Sequence, residues 1–236
     1  MKNVVAGVDI GGTNTVFGIV DKEGKVLADG HLKTTDYPKI EDFCRALGSA
    51  ITRLLSGLKD VELKGVGIGA PDANYHRGTI EHAPNLAWKG IVPLGDLMKA
   101  ELKVPVAVTN DANAAAMGEM IFGGAKGMKD FIILTLGTGL GSGIVVDGKM
   151  VYGHTGFAGE VGHMVIEPGG RVCGCGRQGC LEAYASASGL VRTVSLMISE
   201  MTDKSPLRDI PPSQLTSKAI AEAAAISVIC TVGFAG

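Results

Sequence analysis

Valine-rich runs open the chain. Residues 4–10 (VVAGVDI) form a β-type run that ends in Gly11-Gly12, and 15–20 (TVFGIV) and 25–28 (KVLA) flank Asp21-Lys22-Glu23-Gly24. This pattern predicts three strands joined by a glycine turn and a hairpin. The period then changes: Ile40, Phe43, Leu47, Ala50, Ile51, Leu54 and Leu55 recur at spacings of three and four, which predicts a helix over 40–55. A buried strand follows at 65–70 (GVGIGA), then a polar loop, a helix over 94–102, a strand over 104–109 (VPVAVT) and a helix over 112–121. Such an order implies a mixed sheet with helices packed against it.

The pattern restarts in the second half. A strand over 130–136 (DFIILTL), a glycine turn, a strand over 143–146, Asp147-Gly148 and a strand over 149–152 repeat the opening arrangement. With an offset of 125, Gly12-Thr13 and Gly18-Ile19 fall on Gly137-Thr138 and Gly143-Ile144. Two such strand-loop-strand units, one per lobe, would face each other across a cleft and hold a polyphosphate. At 236 residues the chain exceeds the usual single-core domain, so two lobes are expected, over 1–117 and 118–236. A further helix is expected from about Ser217 (TSKAIAEAAA), whereas Ala223–Gly236 carries no charge and reads as buried strand or as a chain that stops in mid-domain. Its fourteen residues fall short of the roughly 20 that span a bilayer.

Charge narrows the partners. A formal charge of −2 without a Lys/Arg run argues against nucleic acid and anionic membranes, which leaves a small molecule. Asp9 and the first glycines interrupt any secretory pattern, so a cytoplasmic protein is expected. Three of the five cysteines crowd into residues 173–180, which favours metal over disulfide in a reducing compartment; Cys44 and Cys230 read as core thiols.

The glycine turns carry the candidate chemistry. Asp9-Ile10-Gly11-Gly12-Thr13-Asn14 sets a carboxylate at a strand end before two residues without Cβ, so backbone N–H groups can turn inward on an anion while Asp9 holds Mg²⁺. Leu136-Gly137-Thr138-Gly139-Leu140-Gly141-Ser142-Gly143 repeats that chemistry. Asn110-Asp111-Ala112-Asn113 places a carboxylate at a strand-to-helix junction, where Asp111 can serve as a base for an acceptor hydroxyl. The bland alternative is a helix N-cap. His163 with Cys173, Cys175 and Cys180 offers one imidazole and three thiols, a closed tetrahedral set for structural Zn²⁺, with Arg177 offsetting the thiolate charge. Glu160 and Glu182 flank that loop, and paired carboxylates suit vicinal sugar hydroxyls. His163 could bind zinc through one nitrogen and a sugar through the other.

DIGGTN, NDANAAAMGE, LGTGLGSG, GEVGHM and CGCGRQGCLEAYAS, in this order, resemble the ROK family of sugar kinases and repressors, glucokinases in particular. The resemblance covers about residues 4–190 and implies an actin-like ATPase (ribonuclease H-like) α/β fold with two lobes. It implies ATP-dependent phosphorylation of a hexose, glucose foremost, with Asp111 deprotonating the 6-hydroxyl. Asn85 (in APNL), Asn110, Glu160, His163 and Glu182 would contact the sugar. His163, Cys173, Cys175 and Cys180 would bind zinc. Asp9, Gly11, Gly12, Thr13, Asn14, Gly137, Thr138 and Gly139 would line the ATP phosphates, and a dimer or tetramer is implied. ROK repressors carry a helix-turn-helix before the first loop, and only eight residues precede Asp9, so DNA binding is not expected.

Two departures stand out. Gly69-Ala70-Pro71-Asp72 carries an aspartate where the family often has glycine. The family's adenosine-binding segment and final helix have no counterpart in ISVICTVGFAG, so the resemblance implies a truncated C-terminal part. A zinc-stabilised sugar-binding fragment with impaired catalysis is therefore the second expectation. A metal-dependent hydrolase is weaker, because three thiolates and an imidazole leave no open position for water.

Overall fold

A computed structural model describes residues 1–224. The chain folds as two compact units, one made of Met1–Ile133 with Gly143–Gly159, the other of Leu134–Ser142 with Glu160 onward. The boundary expected after residue 117 falls inside a helix of the first unit.

In the first unit, Val4, Ala6, Val8 and Ile10 are buried on one face of β1 (Lys2–Ile10), as its alternation predicts. β2 (Asn14–Asp21) and β3 (Val26–Lys33) pair antiparallel beside it, while β4 (Val61–Gly69) runs parallel to β1. β3 extends five residues beyond the expected 25–28, because Asn14–Val20 offers it a full ladder of partners. Gly30 lets it pass beneath Phe17, where a Cβ would lie 2.9 Å from the ring.

α1 (Ile40–Ser56) buries Phe43, Leu47 and Ile51 in the cluster that holds Val4, Val8 and Ile10. Phe43 also meets the Trp88 ring at 4.7 Å, and the indole N–H donates to the Tyr37 carbonyl at 3.0 Å. The polar loop over 71–93 contains a small antiparallel sheet that the periodicity did not reveal, made of β5 (Ala73–Asn74), β6 (Thr79–Glu81) and β7 (Ile91–Val92). Strands of two or three residues are too short to show a period. Asp72, at the glycine-favouring position, has a left-handed φ of 52°, which explains the preference for a residue without Cβ there.

α2 (Leu94–Leu102) adds Leu94 and Met98 to the same core, and β8 (Val106–Thr109) completes a five-stranded sheet of order β3-β2-β1-β4-β8. α3 (Asp111–Ile121) follows directly. Its alanine run allows close seating: a Cβ on Gly69 would stand 3.3 Å from the Ala114 methyl, and one on Gly143 would stand 2.6 Å from that of Ala116.

β9 (Phe131–Leu136), β10 (Leu140–Val146) and β11 (Lys149–Met150) form the second strand-loop-strand unit, in sheet order β11-β10-β9. The glycine turn is narrower than expected, because Gly141 and Gly143 lie inside β10.

In the second unit, α4 (Glu182–Ala185) leads into α5 (Ala187–Glu200). α5 packs Val194 with Leu207, Leu215, and Ile220 and Ala223 of α6 (Ser217–Ala224), the helix expected from Ser217. Beyond Ala224 the expected buried strand, and Cys230 with it, lie outside the described residues. No described helix is long and apolar enough to cross a membrane.

Candidate active site and metal centre

The first unit carries Asp9, Gly11–Asn14, Asn85, Asn110 and Asp111. Asp9 is the last residue but one of β1, and the Gly11 N–H closes the turn that follows on the Asn14 carbonyl at 2.9 Å. The N–H groups of Gly12 and Thr13 then have no acceptor among the described residues, the arrangement an anion nest requires. Gly12 must be glycine for a second reason, since a Cβ there would sit 2.8 Å from the Asn85 carbonyl oxygen. The turn therefore lies directly against the segment that holds Asn85.

Asn110 caps α3, its side chain accepting the Ala112 N–H at 2.8 Å, and Asp111 Oδ1 accepts the same N–H at 2.8 Å. Capping thus falls to Asn110, while Asp111 is the first helical residue and is exposed. Partial burial, followed by the negative charge of Asp111, raises the Asp9 carboxyl above its ordinary range, so the two carboxylates are electrostatic neighbours. Paired carboxylate oxygens are the hard donors that magnesium takes. Asn113 is buried deeper in α3, and its side-chain oxygen has no hydrogen-bond partner.

The second unit carries the other glycine turn and the thiols. The Gly137 N–H donates to the Gly139 carbonyl at 3.0 Å, leaving the N–H groups of Thr138 and Gly139 without an acceptor among the described residues. Glu182 Oε2 accepts the next N–H, that of Leu140, at 2.9 Å, and a Cβ on Gly139 would press on that oxygen at 2.5 Å. The other oxygen, Oε1, takes the Cys173 thiol at 3.5 Å. Glu160 and His163 bracket a 3-10 turn over Val161–His163, anchored where the Val161 N–H meets Ser142 Oγ at 3.3 Å. Gly162 lies so close to the Leu140 carbonyl that no side chain fits.

The ligand atoms of His163, Cys173, Cys175 and Cys180 all lie within 4.8 Å of one another. His163 Nδ1 stands 3.7 Å from Cys173 Sγ, and Cys175 Sγ stands 3.7 Å from Cys180 Sγ. A tetrahedral zinc with Zn–S bonds of about 2.3 Å and Zn–N bonds of about 2.05 Å sets its ligand edges at roughly 3.6–3.8 Å, so these residues fit zinc. Burial pushes the Cys173 thiol up to about 12, whereas the backbone N–H of Arg177 draws Cys175 down to about 6, with the Arg177 side chain assisting. Arg177 thus stands where the thiolate charge needs it.

Sequence reasoning missed the clasp behind this loop. Arg171 Nη1 donates to the Ala183 and Gly189 carbonyls and, at 2.6 Å, to Thr193 Oγ1. Its guanidinium lies 4.5 Å from the Tyr184 ring centroid, and the Arg171 backbone N–H donates to the Tyr184 hydroxyl at 2.9 Å. An arginine two residues before the first zinc cysteine was the available signal.

The glucokinase of Streptomyces coelicolor is 46% identical over 187 residues, which cover 79% of this chain and 57% of that protein. The xylose repressor of Caldicellulosiruptor bescii is 42% identical over 137 residues, covering 58% of this chain and 34% of the repressor. A ROK family glucokinase from Streptomyces griseus, solved with glucose and AMPPNP, superposes with a TM-score of 0.76 at 38% identity, over 98% of this chain and 74% of that one. The chain therefore spans little more than half the length of the curated glucokinase it matches. Residues 5–233 match the sequence model of the ROK family. With its mixed α/β, actin-like ATPase fold, its two glycine turns and its histidine-cysteine cluster, this chain belongs to the ROK family.

Proposed function

We propose that the chain serves an ATP-dependent hexose kinase, cytoplasmic and acting on glucose as its preferred substrate. One observation carries the reading: an exposed carboxylate at a helix start, Asp111, neighbours a second carboxylate, Asp9, which leads into a turn whose Gly12 and Thr13 N–H groups have no acceptor among the described residues. Phosphoryl transfer needs little beyond this, because it depends on positioning and on charge stabilisation.

In the proposed reaction Asp111 takes the proton of the sugar 6-hydroxyl while that oxygen forms its bond to the γ-phosphorus of ATP. The bond from that phosphorus to the β,γ-bridging oxygen breaks, and ADP leaves. The free amides of each glycine turn are assigned to phosphate oxygens, and Asp9 is assigned to Mg²⁺, which when bound would neutralise phosphate charge. Asn85, Asn110, Glu160, His163 and Glu182 are assigned to the sugar hydroxyls. His163, Cys173, Cys175 and Cys180 would hold zinc, which contributes folding energy.

A coupled ADP-release assay across glucose, mannose, fructose, N-acetylglucosamine and N-acetylmannosamine tests this reading. ADP release with glucose above the other sugars is expected; silence with every sugar would sink it. The repressor relatives favour a second reading, sugar binding without transfer. Calorimetry that detects hexose binding but no ATP binding would support that alternative.

A further inference from the structure

Beside the second glycine turn, wholly within the second unit, lies an open cavity of about 260 Å³. Thr138 forms one wall, Val172–Gly174 of the metal loop another, and Ser186, Ser188 and Arg192 of the α5 region the third. The turn is fastened to this third wall: the Ala187 N–H donates to the Gly137 carbonyl at 2.9 Å, and Ser188 Oγ donates to the Thr138 carbonyl at 2.7 Å. These bonds occupy the Gly137 and Thr138 carbonyls, while the Thr138 and Gly139 N–H groups have no acceptor among the described residues.

The start of α5 supplies little attraction of its own, since the Ala187 N–H is engaged and the Gly189 N–H is taken by Ser186 Oγ at 3.0 Å. The positive charge must come from elsewhere. Arg192 is the cation on the lining, it is exposed, and it has neither an ion-pair partner nor a hydrogen bond among the described residues. Arg171, in the loop before the cysteines, shows the contrast, with Nη1 bound to three acceptors. One cavity thus brings together a guanidinium without a partner, a threonine of the turn with free amides, and the Glu182 carboxylate, whose oxygens already meet the Leu140 N–H and the Cys173 sulfur; a phosphate is an anion that such donors take.

We propose that Arg192 is a binding residue for the polyphosphate tail of the phosphoryl donor, held in this cavity against Thr138. The proposal rests on the kinase reading of the same turn and adds to it a residue that no motif marks. The guanidinium grips two oxygens of the tail, and the reacting end is left to the amides of the turn.

Titration calorimetry of the whole chain with Mg²⁺ and either ATP or inorganic tripolyphosphate tests the assignment, the second probe reading the phosphate grip without an adenosine. Arg192→Gln is expected to weaken both probes by about tenfold or more, the usual size for a charge-assisted contact. Arg192→Lys should recover part of that loss, while glucose affinity and zinc content stay unchanged. Equal affinities in Arg192→Gln and the parent chain would overturn the proposal and leave the kinase reading standing. A loss of zinc or of glucose binding in both variants would overturn it as well, by showing a structural role. A parent chain that binds neither probe would overturn the kinase reading itself, and the subsite with it.

Discussion

At the residue scale, the burden of the reading falls on Asp111. Its carboxylate is not needed as a cap, because Asn110 meets the same Ala112 N–H at 2.8 Å, so its substitution separates chemistry from folding. Asp111→Asn is expected to lower kcat by about 10²–10⁴-fold, the usual contribution of a general base, with the glucose dissociation constant changed far less. Steady-state kinetics beside calorimetry checks both. Asp9 and Asp111 were legible in the sequence because each stands next to a glycine or alanine run that only a close approach explains. Asn85 was legible only through resemblance: its link to the first turn is a backbone contact with Gly12, too distant along the chain for any local pattern to show. Arg192 left no trace, since an exposed arginine on an amphipathic helix carries no distinguishing pattern.

At the scale of elements, periodicity located the long pieces and lost the short ones. α2 appears over the predicted residues 94–102, and α1 differs from its predicted span by one residue, because their apolar stripes bury Phe43, Leu47, Leu94 and Met98 in a single core. The order β3-β2-β1-β4-β8 could not be read, because pairing between distant strands is decided by packing and not by local period. α3 is the element whose placement matters most. Gly69 and Gly143 let its alanine face approach two strands, and a methyl at Gly143 would stand 2.6 Å from Ala116 Cβ and 2.8 Å from the Ala112 carbonyl. Gly143→Ala is therefore expected to cost about 1–3 kcal/mol through overpacking, read as a lower urea midpoint. Because α3 begins at Asp111, its displacement should reduce kcat at temperatures where the variant remains folded.

At the scale of the whole molecule, the two units respond to different solution variables. The histidine-cysteine cluster proposed to hold zinc belongs to the second. About one zinc per chain is expected, and its removal by a chelator should abolish hydrogen-exchange protection around residues 160–190 while β1 and β4 keep theirs. Mass spectrometry of the exchanged chain reads both at once. Acid acts on the first. A hydrogen bond from the Lys2 ammonium at 2.7 Å, joined by the backbone N–H groups of Lys25 and Glu23, holds Asp21 below the ordinary carboxyl range despite its burial. A carboxyl whose pKa falls on folding stabilises the folded state above its unfolded pKa of about 3.9, and that stability disappears as pH falls through the lower folded value. Urea unfolding between pH 3 and 6 should show this decline, and Asp21→Asn should flatten it.

Glu182 is already half engaged by its own chain. A zinc-bound Cys173 would be a thiolate with no proton to donate, but in the metal-free chain the backbone of Leu140 and the thiol of Cys173 each occupy one of the roughly four lone pairs that a carboxylate offers. Two vacancies remain, one on each oxygen, which is the number that a pair of adjacent alcohol groups can fill. A guest bringing a third donor to this side chain would have to evict either the backbone of the turn or the sulfur. Selectivity at this corner is thus a matter of counting acceptors, with the limit set by what the protein has already attached to them.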